Sequence, residues 1–219
     1  MSRNLQLTLV VIGVAAVAIF TLLLVNRPAD PEAAPAEPGP LPAGLLVRED
    51  SHQLSTAADG KVTLVEFLDF ECEACGAVYP AMEQLRADYD GRINYVVRYF
   101  PVPSHRNADL AARAAEAAAA QGKFEQMYQA LFDNQQAWGE KQESQEAVFL
   151  DYARAIGLDI ERFQADLNSP ATAARVKKDW NDGLAVGVEG TPTFFLNGKK
   201  FVPDSYQHLT DAIDTALAK

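Results

Sequence analysis

The chain has 219 residues, 48% of them hydrophobic, with a formal net charge of −11. This length accommodates one well-cored domain plus accessories, and the acidity, with no clustered Lys or Arg, argues against nucleic-acid binding. Two cysteines cannot build a disulfide framework, so whatever they do, they do as a pair.

In chain order, Leu5 to Val25 is an uncharged, mostly apolar run of 21 residues, matching the ~20 residues that span a hydrocarbon core. Residues 1–27 are therefore expected to be an uncleaved transmembrane anchor. A secretory signal peptide is the competing reading, but its apolar region runs only about 7–15 residues, and Val25-Asn26-Arg27-Pro28 is a poor cleavage site. The small residues from Ala29 to Ala36 leave cleavage there open. One basic residue stands on each side, Arg3 and Arg27, and the free amino terminus tips the orientation to N-terminus inside. Everything after residue 27 would then be extracytoplasmic (periplasmic in a bacterium), where disulfides persist. Residues 28–44, with six prolines, read as a semi-rigid linker of up to ~50 Å at ~3.1 Å per residue.

From residue 45 to 219 the composition is globular. Leu45-Leu46-Val47 suggests a short edge strand. Val62 to Leu68 is an apolar, β-branched run typical of a buried strand, and Ala77 to Tyr89 carries helical spacing. Between them lies Cys72-Glu73-Ala74-Cys75. A strand that ends at Cys-x-x-Cys with a helix starting on it is the local geometry of a thiol–disulfide redox centre. Arg92 to Phe100 reads as a second strand. Ser104 is a plausible N-cap for a helix from about Asn107 to Gln121, closed by Gly122. Helical patterns follow at about 123–137, 145–156, 159–168 and 171–186. Thr193 to Val202 is a hairpin around Asn197-Gly198, and Ser205 to Leu217 is a closing helix. The order is β-α-β, a helical insert over about 104–187, then β-β-α: an α/β, thioredoxin-type core with an all-helical insertion.

A structural disulfide is poorly motivated, because so short a loop contributes little chain entropy. A zinc site needs three or four ligands. The remaining candidates, His52, His105 and His208, lie far away without paired spacing and read as ordinary surface or loop residues, so no metal is expected.

Three stretches carry a resemblance: Val62 to Cys75, Ala111 to Phe124, and Gly187 to Gly198 with its Gly190-Thr191-Pro192-Thr193 core. Through them the chain resembles the DsbA-like thiol–disulfide oxidoreductases of the thioredoxin superfamily, particularly membrane-anchored bacterial members, over about 45–219. The resemblance implies that Cys72 is the exposed nucleophile and Cys75 the buried resolving thiol. It implies that Thr191–Pro192 is a cis peptide beside the pair, with Thr191 offering backbone hydrogen bonds to an extended substrate. It places Glu66 where the family often holds a buried acid that takes and returns the Cys75 proton; a strand-edge carboxylate facing solvent is the alternative. No cofactor is implied beyond the redox-active pair. The dipeptide Glu73-Ala74 departs from the Pro-His of strongly oxidising members. Carboxylates at Glu71 and Glu73 would raise a thiolate's pKa, so Cys72 is expected below a free thiol yet less depressed than in a Pro-His enzyme.

The resulting expectation is a membrane-tethered oxidase. It would introduce disulfides into secreted or membrane proteins and be reoxidised by a quinone-linked membrane partner. A reductase or isomerase using the same residues is the alternative within the same chemistry. A non-catalytic binding or chaperone module is the alternative outside it.

Overall fold

The computed structural model describes residues 43–219. The expected anchor at 1–27 and the linker up to residue 42 lie outside the described residues. Among the described residues no helix is long and apolar enough to cross a membrane.

Five strands, β1 (His52–Ser55), β2 (Thr63–Leu68), β3 (Asn94–Tyr99), β4 (Thr193–Leu196) and β5 (Lys199–Phe201), form one sheet in the order β1-β3-β2-β4-β5. β2 and β3 are parallel, and every other pairing is antiparallel. The helices are α1 (Ala43–Leu46), α2 (Glu73–Asp88), α3 (Ala108–Ala119), α4 (Phe124–Asp133), α5 (Gln135–Trp138), α6 (Glu146–Ala155), α7 (Ile160–Leu167), α8 (Pro170–Ala185) and α9 (Tyr206–Leu217).

β2 and β3 lie inside the sheet with both faces covered, which is why they read as nearly continuous apolar runs. Side chains alternate between the faces. Leu64 and Leu68 enter the larger core, built from α2, α9 and the insert helices. Val65 and Phe67 enter a smaller core with Leu46, Val96, Phe100, Val186, Val188 and Phe195. That parity sends Glu66 into the larger core, on the side of α2. Gly183 lets α8 lie close to the sheet: a Cβ there would meet the Phe100 ring at 2.6 Å and the Phe67 ring at 3.1 Å.

Local signals account for most boundaries. Asp159, Ser169 and Ser205 cap α7, α8 and α9 by accepting from the N–H three residues on, and Pro170 opens α8. Asn197 (φ 47°) and Gly198 (φ 81°) both adopt the left-handed conformation that a tight two-residue hairpin turn requires.

Three expectations are corrected. Leu45-Leu46-Val47 is not a strand: Ala43–Leu46 is helical, and the carbonyls of Leu45 and Leu46 accept from Arg98 Nη1 at 2.9 and 2.7 Å, which occupies them away from any ladder. The edge strand is His52–Ser55, in which only Leu54 is buried, so it shows no alternating pattern. The N-cap of α3 is Asn107, not Ser104, and the pattern over 123–137 is two helices, meeting at Asn134.

Candidate active site

The chain leaves β2 and turns into α2 through Asp69, Phe70 and Glu71. Asp69 Oδ1 accepts the Glu71 N–H at 2.8 Å, and its carbonyl accepts the Cys72 N–H at 3.2 Å. A side-chain turn nested in a backbone turn reverses the chain in the shortest available length. The other carboxylate oxygen, Oδ2, accepts from the Val102 N–H at 2.8 Å and meets His105 Nδ1 at 2.7 Å. Glu71 is equally buried and equally occupied: Oε2 accepts from Asn107 N–H at 2.5 Å and Oε1 from Glu140 N–H at 3.0 Å. Asn107 in turn spends its side chain on the carbonyls of Lys141 and Glu143 and on the Gln145 N–H. The loop before the cysteines is therefore bolted to the insert through two buried carboxylates.

Cys72 is the N-cap residue of α2, with extended backbone (φ −67°, ψ 120°) and no side-chain cap bond. Both cysteines are free thiols. Cys72 is 8% exposed, not the openly exposed nucleophile expected, and Cys75 is 1% exposed. As a thiol, Cys72 donates from Sγ to the Thr191 carbonyl at 3.3 Å, and the Thr191–Pro192 peptide is cis. The Cys72 pKa is lowered to about 5, first by a hydrogen bond from the Cys75 thiol, against burial, with help from the N–H groups of Cys75 and Ala74 at the helix start. Cys75 moves the opposite way, well above an ordinary thiol, because it is buried and faces Cys72 and Glu66. At neutral pH the pair thus holds one thiolate and one thiol.

Glu66 lies in the interior at 2% exposure and accepts a hydrogen bond from the Tyr95 hydroxyl, itself fully buried. Burial raises its pKa to about 7; the Tyr95 bond opposes this, and the charge on Cys72 adds to it. A carboxyl poised near neutrality, electrostatically linked to both cysteines, is able to take up or release a proton on the buried side of the pair.

The structure therefore gathers Cys72, Cys75, Glu66 and Thr191, with Pro192 following in the cis peptide. Glu73 and Ala74 are exposed on the first turn of α2. The two acids expected to oppose the thiolate are thus disposed differently: Glu71 is held by backbone N–H groups and Glu73 faces solvent. His52 and His105 are not ordinary surface residues. His52 Nε2 meets Glu116 Oε2 at 2.7 Å while the ring stacks on Phe124 at 3.8 Å, and His105 pairs with Asp69. Only His208 is exposed, paired with Asp204. Among the described residues no group of three or more His, Cys, Asp or Glu is placed to hold a metal ion.

Sequence reasoning missed Asp69, His105 and Gln135. Asp three residues before a cysteine, at a strand end, is a turn signature that was available to find Asp69. Gln135 carries no local signal. From α5 its Nε2 donates to the carbonyls of Phe70 and Cys72, each at 2.8 Å. Its amide lies so close to α2 that a Cβ on Gly76 would stand 2.0 Å from Oε1.

Comparison with known proteins agrees with this geometry. A thioredoxin-like oxidoreductase from Silicibacter pomeroyi is similar in structure, with a TM-score of 0.67 and 31% identity over 82% of this chain and 99% of that one. Alpha-DsbA1 of Wolbachia pipientis shares the fold, with a TM-score of 0.71 and 17% identity over 80% and 94% of the two chains. Among curated relatives, a protein named Na(+)/H(+) antiporter NhaA from Herminiimonas arsenicoxydans is 41% identical over 142 residues, 65% of this chain and 22% of the relative. The chain thus matches less than a quarter of that relative's length. A family model described as thioredoxin matches residues 55–215, well over half of the chain, and the chain belongs to the thioredoxin family.

Proposed function

We propose that the chain is a thiol–disulfide oxidoreductase that forms disulfides in extracytoplasmic proteins. The observation that carries this reading is the division of labour in the pair: Cys72 is stabilised as a thiolate at a helix start, while Cys75 is kept a thiol over Glu66. In the oxidised state a substrate thiolate attacks Cys72 Sγ, forming a mixed disulfide and breaking the Cys72–Cys75 bond. Cys75 leaves as thiolate and takes a proton, which Glu66 supplies. A second substrate thiolate then attacks the substrate sulfur of the mixed disulfide and releases Cys72 as a thiolate. Two electrons pass from two substrate thiols to the pair, and a quinone-linked membrane partner takes them onward.

A shallow groove of about 170 Å³, lined by Val78, Pro192, Phe194, Phe201, Val202 and Pro203, opens beside Pro192. Val202 is 76% exposed. An extended polypeptide with an apolar side chain suits such a lining. The membrane anchor in 1–27 and an extracytoplasmic catalytic domain belong to the same proposal, motivated by the sequence of that segment. The antiporter name of the curated relatives gives this chain no reading of its own, since they are several times longer. Glu73-Ala74 favours a second direction, reductase or isomerase, on the same atoms.

The test is the Cys75→Ala variant. With its resolving thiol removed, the chain accumulates mixed disulfides through Cys72 with thiol-bearing proteins. If none form above the level of a Cys72→Ala control, a non-catalytic binding module replaces the enzyme.

A further inference from the structure

Acidic groups crowd the cysteine pair. Glu66 lies beneath it, Asp69 and Glu71 precede it and Glu73 follows Cys72. Among the described residues none of these four pairs with a Lys or Arg. Glu71 is satisfied by two backbone N–H groups, whereas Asp69, at 2% exposure, has in addition to its backbone bonds one titratable partner, His105. Asp69 joins two things: its carboxylate holds the imidazole at 2.7 Å, and its carbonyl holds the Cys72 N–H at 3.2 Å. The imidazole is 25% exposed, so it exchanges protons with solvent while remaining fixed.

We propose that His105 is a positioning residue of the redox centre: held by Asp69 at the root of the active-site turn, its imidazolium supplies the positive charge beside the Cys72 thiolate that Glu73-Ala74 does not provide. Without that charge Asp69 would present a buried, unbalanced carboxylate to the thiolate, and like charges at short range disfavour each other strongly outside bulk water. The groups around His105 are Asp69, Glu71 and Cys72 from the turn, Arg106 and Asp109 near the start of α3, and Lys177 from α8. Burial pulls the imidazole pKa down. The hydrogen bond and charge of Asp69, with the charges of Cys72 and Glu71, outweigh burial and raise it above its ordinary value. The interaction is reciprocal: whatever the thiolate does to His105, His105 does to the thiolate. While His105 is protonated the dithiol form is favoured and the centre is more oxidising. As pH rises through the imidazole titration, that contribution disappears.

This inference rests on reading Cys72 and Cys75 as a redox pair, and its test has two arms. In the full-length wild-type chain, the imidazole signals of His52, His105 and His208, assigned through correlation to their own backbone signals, are titrated by NMR in the dithiol and disulfide states. His105 titrates at higher pH in the dithiol state, where the thiolate is present. Equal His105 titrations in the two states overturn the proposal, and no variant need fold for that result. In the second arm, His105→Asn keeps a donor for Asp69 without the charge. Thiolate absorbance shows Cys72 titrating at higher pH, and the equilibrium with glutathione shifts about tenfold toward the protein disulfide, a change of ~30 mV for a two-electron couple. A folded His105→Asn chain with an unmoved Cys72 titration also overturns it. If glutathione never oxidises the pair, the redox reading itself fails, and the absorbance titration still decides the charge effect of His105.

Discussion

Glu66 shows how a residue's chemistry follows from the parity of its strand. Sequence alone left it open whether this carboxylate faced solvent or the interior. The alternation of β2, with Leu64 and Leu68 in the larger core, sends it inward. Its pKa of about 7 lies above the ordinary value of 4.5, so the fold favours the protonated form. The stability it contributes is complete below about pH 4.5 and is lost as pH rises through 7, up to ~3 kcal/mol at ~1.4 kcal/mol per pKa unit. Glu66→Gln keeps an acceptor for Tyr95 and removes the charge. Urea unfolding between pH 5 and 9 should therefore lose less stability in the variant than in wild type. Identical losses would show that Glu66 does not titrate in that window. Glu66→Gln should also slow formation of mixed disulfides by the oxidised chain by about 10²-fold or more, the usual range for a missing general acid or base, as read by quenched thiol trapping.

At the scale of elements, α2 and α5 are locked through one side chain. Gln135 donates to Phe70 and Cys72 carbonyls, and only a glycine at position 76 leaves room for its amide. Gly76→Ala expels that amide, and Gln135→Ala removes it. Each is expected to cost about 1–3 kcal/mol in denaturant unfolding. Because both break the same contact, the double variant costs no more than the larger single one; additive losses would mean that the contact is not shared. The elements themselves were largely legible in sequence. β2, α2, the β4–β5 hairpin and α9 follow from periodicity, Asn197-Gly198 and the Ser205 cap. The contacts that build the site were not. Gln135 reaches residues 63 and 65 positions away, and His105 pairs with Asp69 36 positions away, so no local pattern announces either. β1 escaped notice because four residues with one buried side chain carry no period, and Leu45-Leu46-Val47 misled because apolar composition alone does not decide between strand and helix.

Across the whole domain, the sheet separates two kinds of buried charge. On the α2 side lies the redox centre with Glu66. On the opposite side Arg98, fully buried, joins Asp179 Oδ1 at 2.7 Å and Asp182 Oδ2 at 2.6 Å, while Arg48 and Arg175 close the network. Arg98 also holds the carbonyls of α1 and lies over the Phe67 ring at 5.5 Å. This cluster fastens the entry of the domain to α8. Arg98→Met removes the shared cation between two buried carboxylates, leaving Asp182 with Arg48 and Asp179 with Arg175, and should cost about 3 kcal/mol while leaving the Cys72 titration, read by thiolate absorbance, where it is; a shifted titration would show that the two faces communicate. The central claim concerns the other face: Cys72 and Cys75 form a reversible redox couple whose thiolate is stabilised to a pKa of about 5. That value lies between the ~7 of thioredoxin and the ~3.5 of DsbA. Equilibrium titration of the full-length chain against reduced and oxidised glutathione tests it most directly. The account predicts one two-electron transition at a potential between the ~−270 mV of thioredoxin and the ~−120 mV of DsbA. A pair that remains oxidised below ~−300 mV, as structural disulfides do, or one that never forms a disulfide, would contradict it.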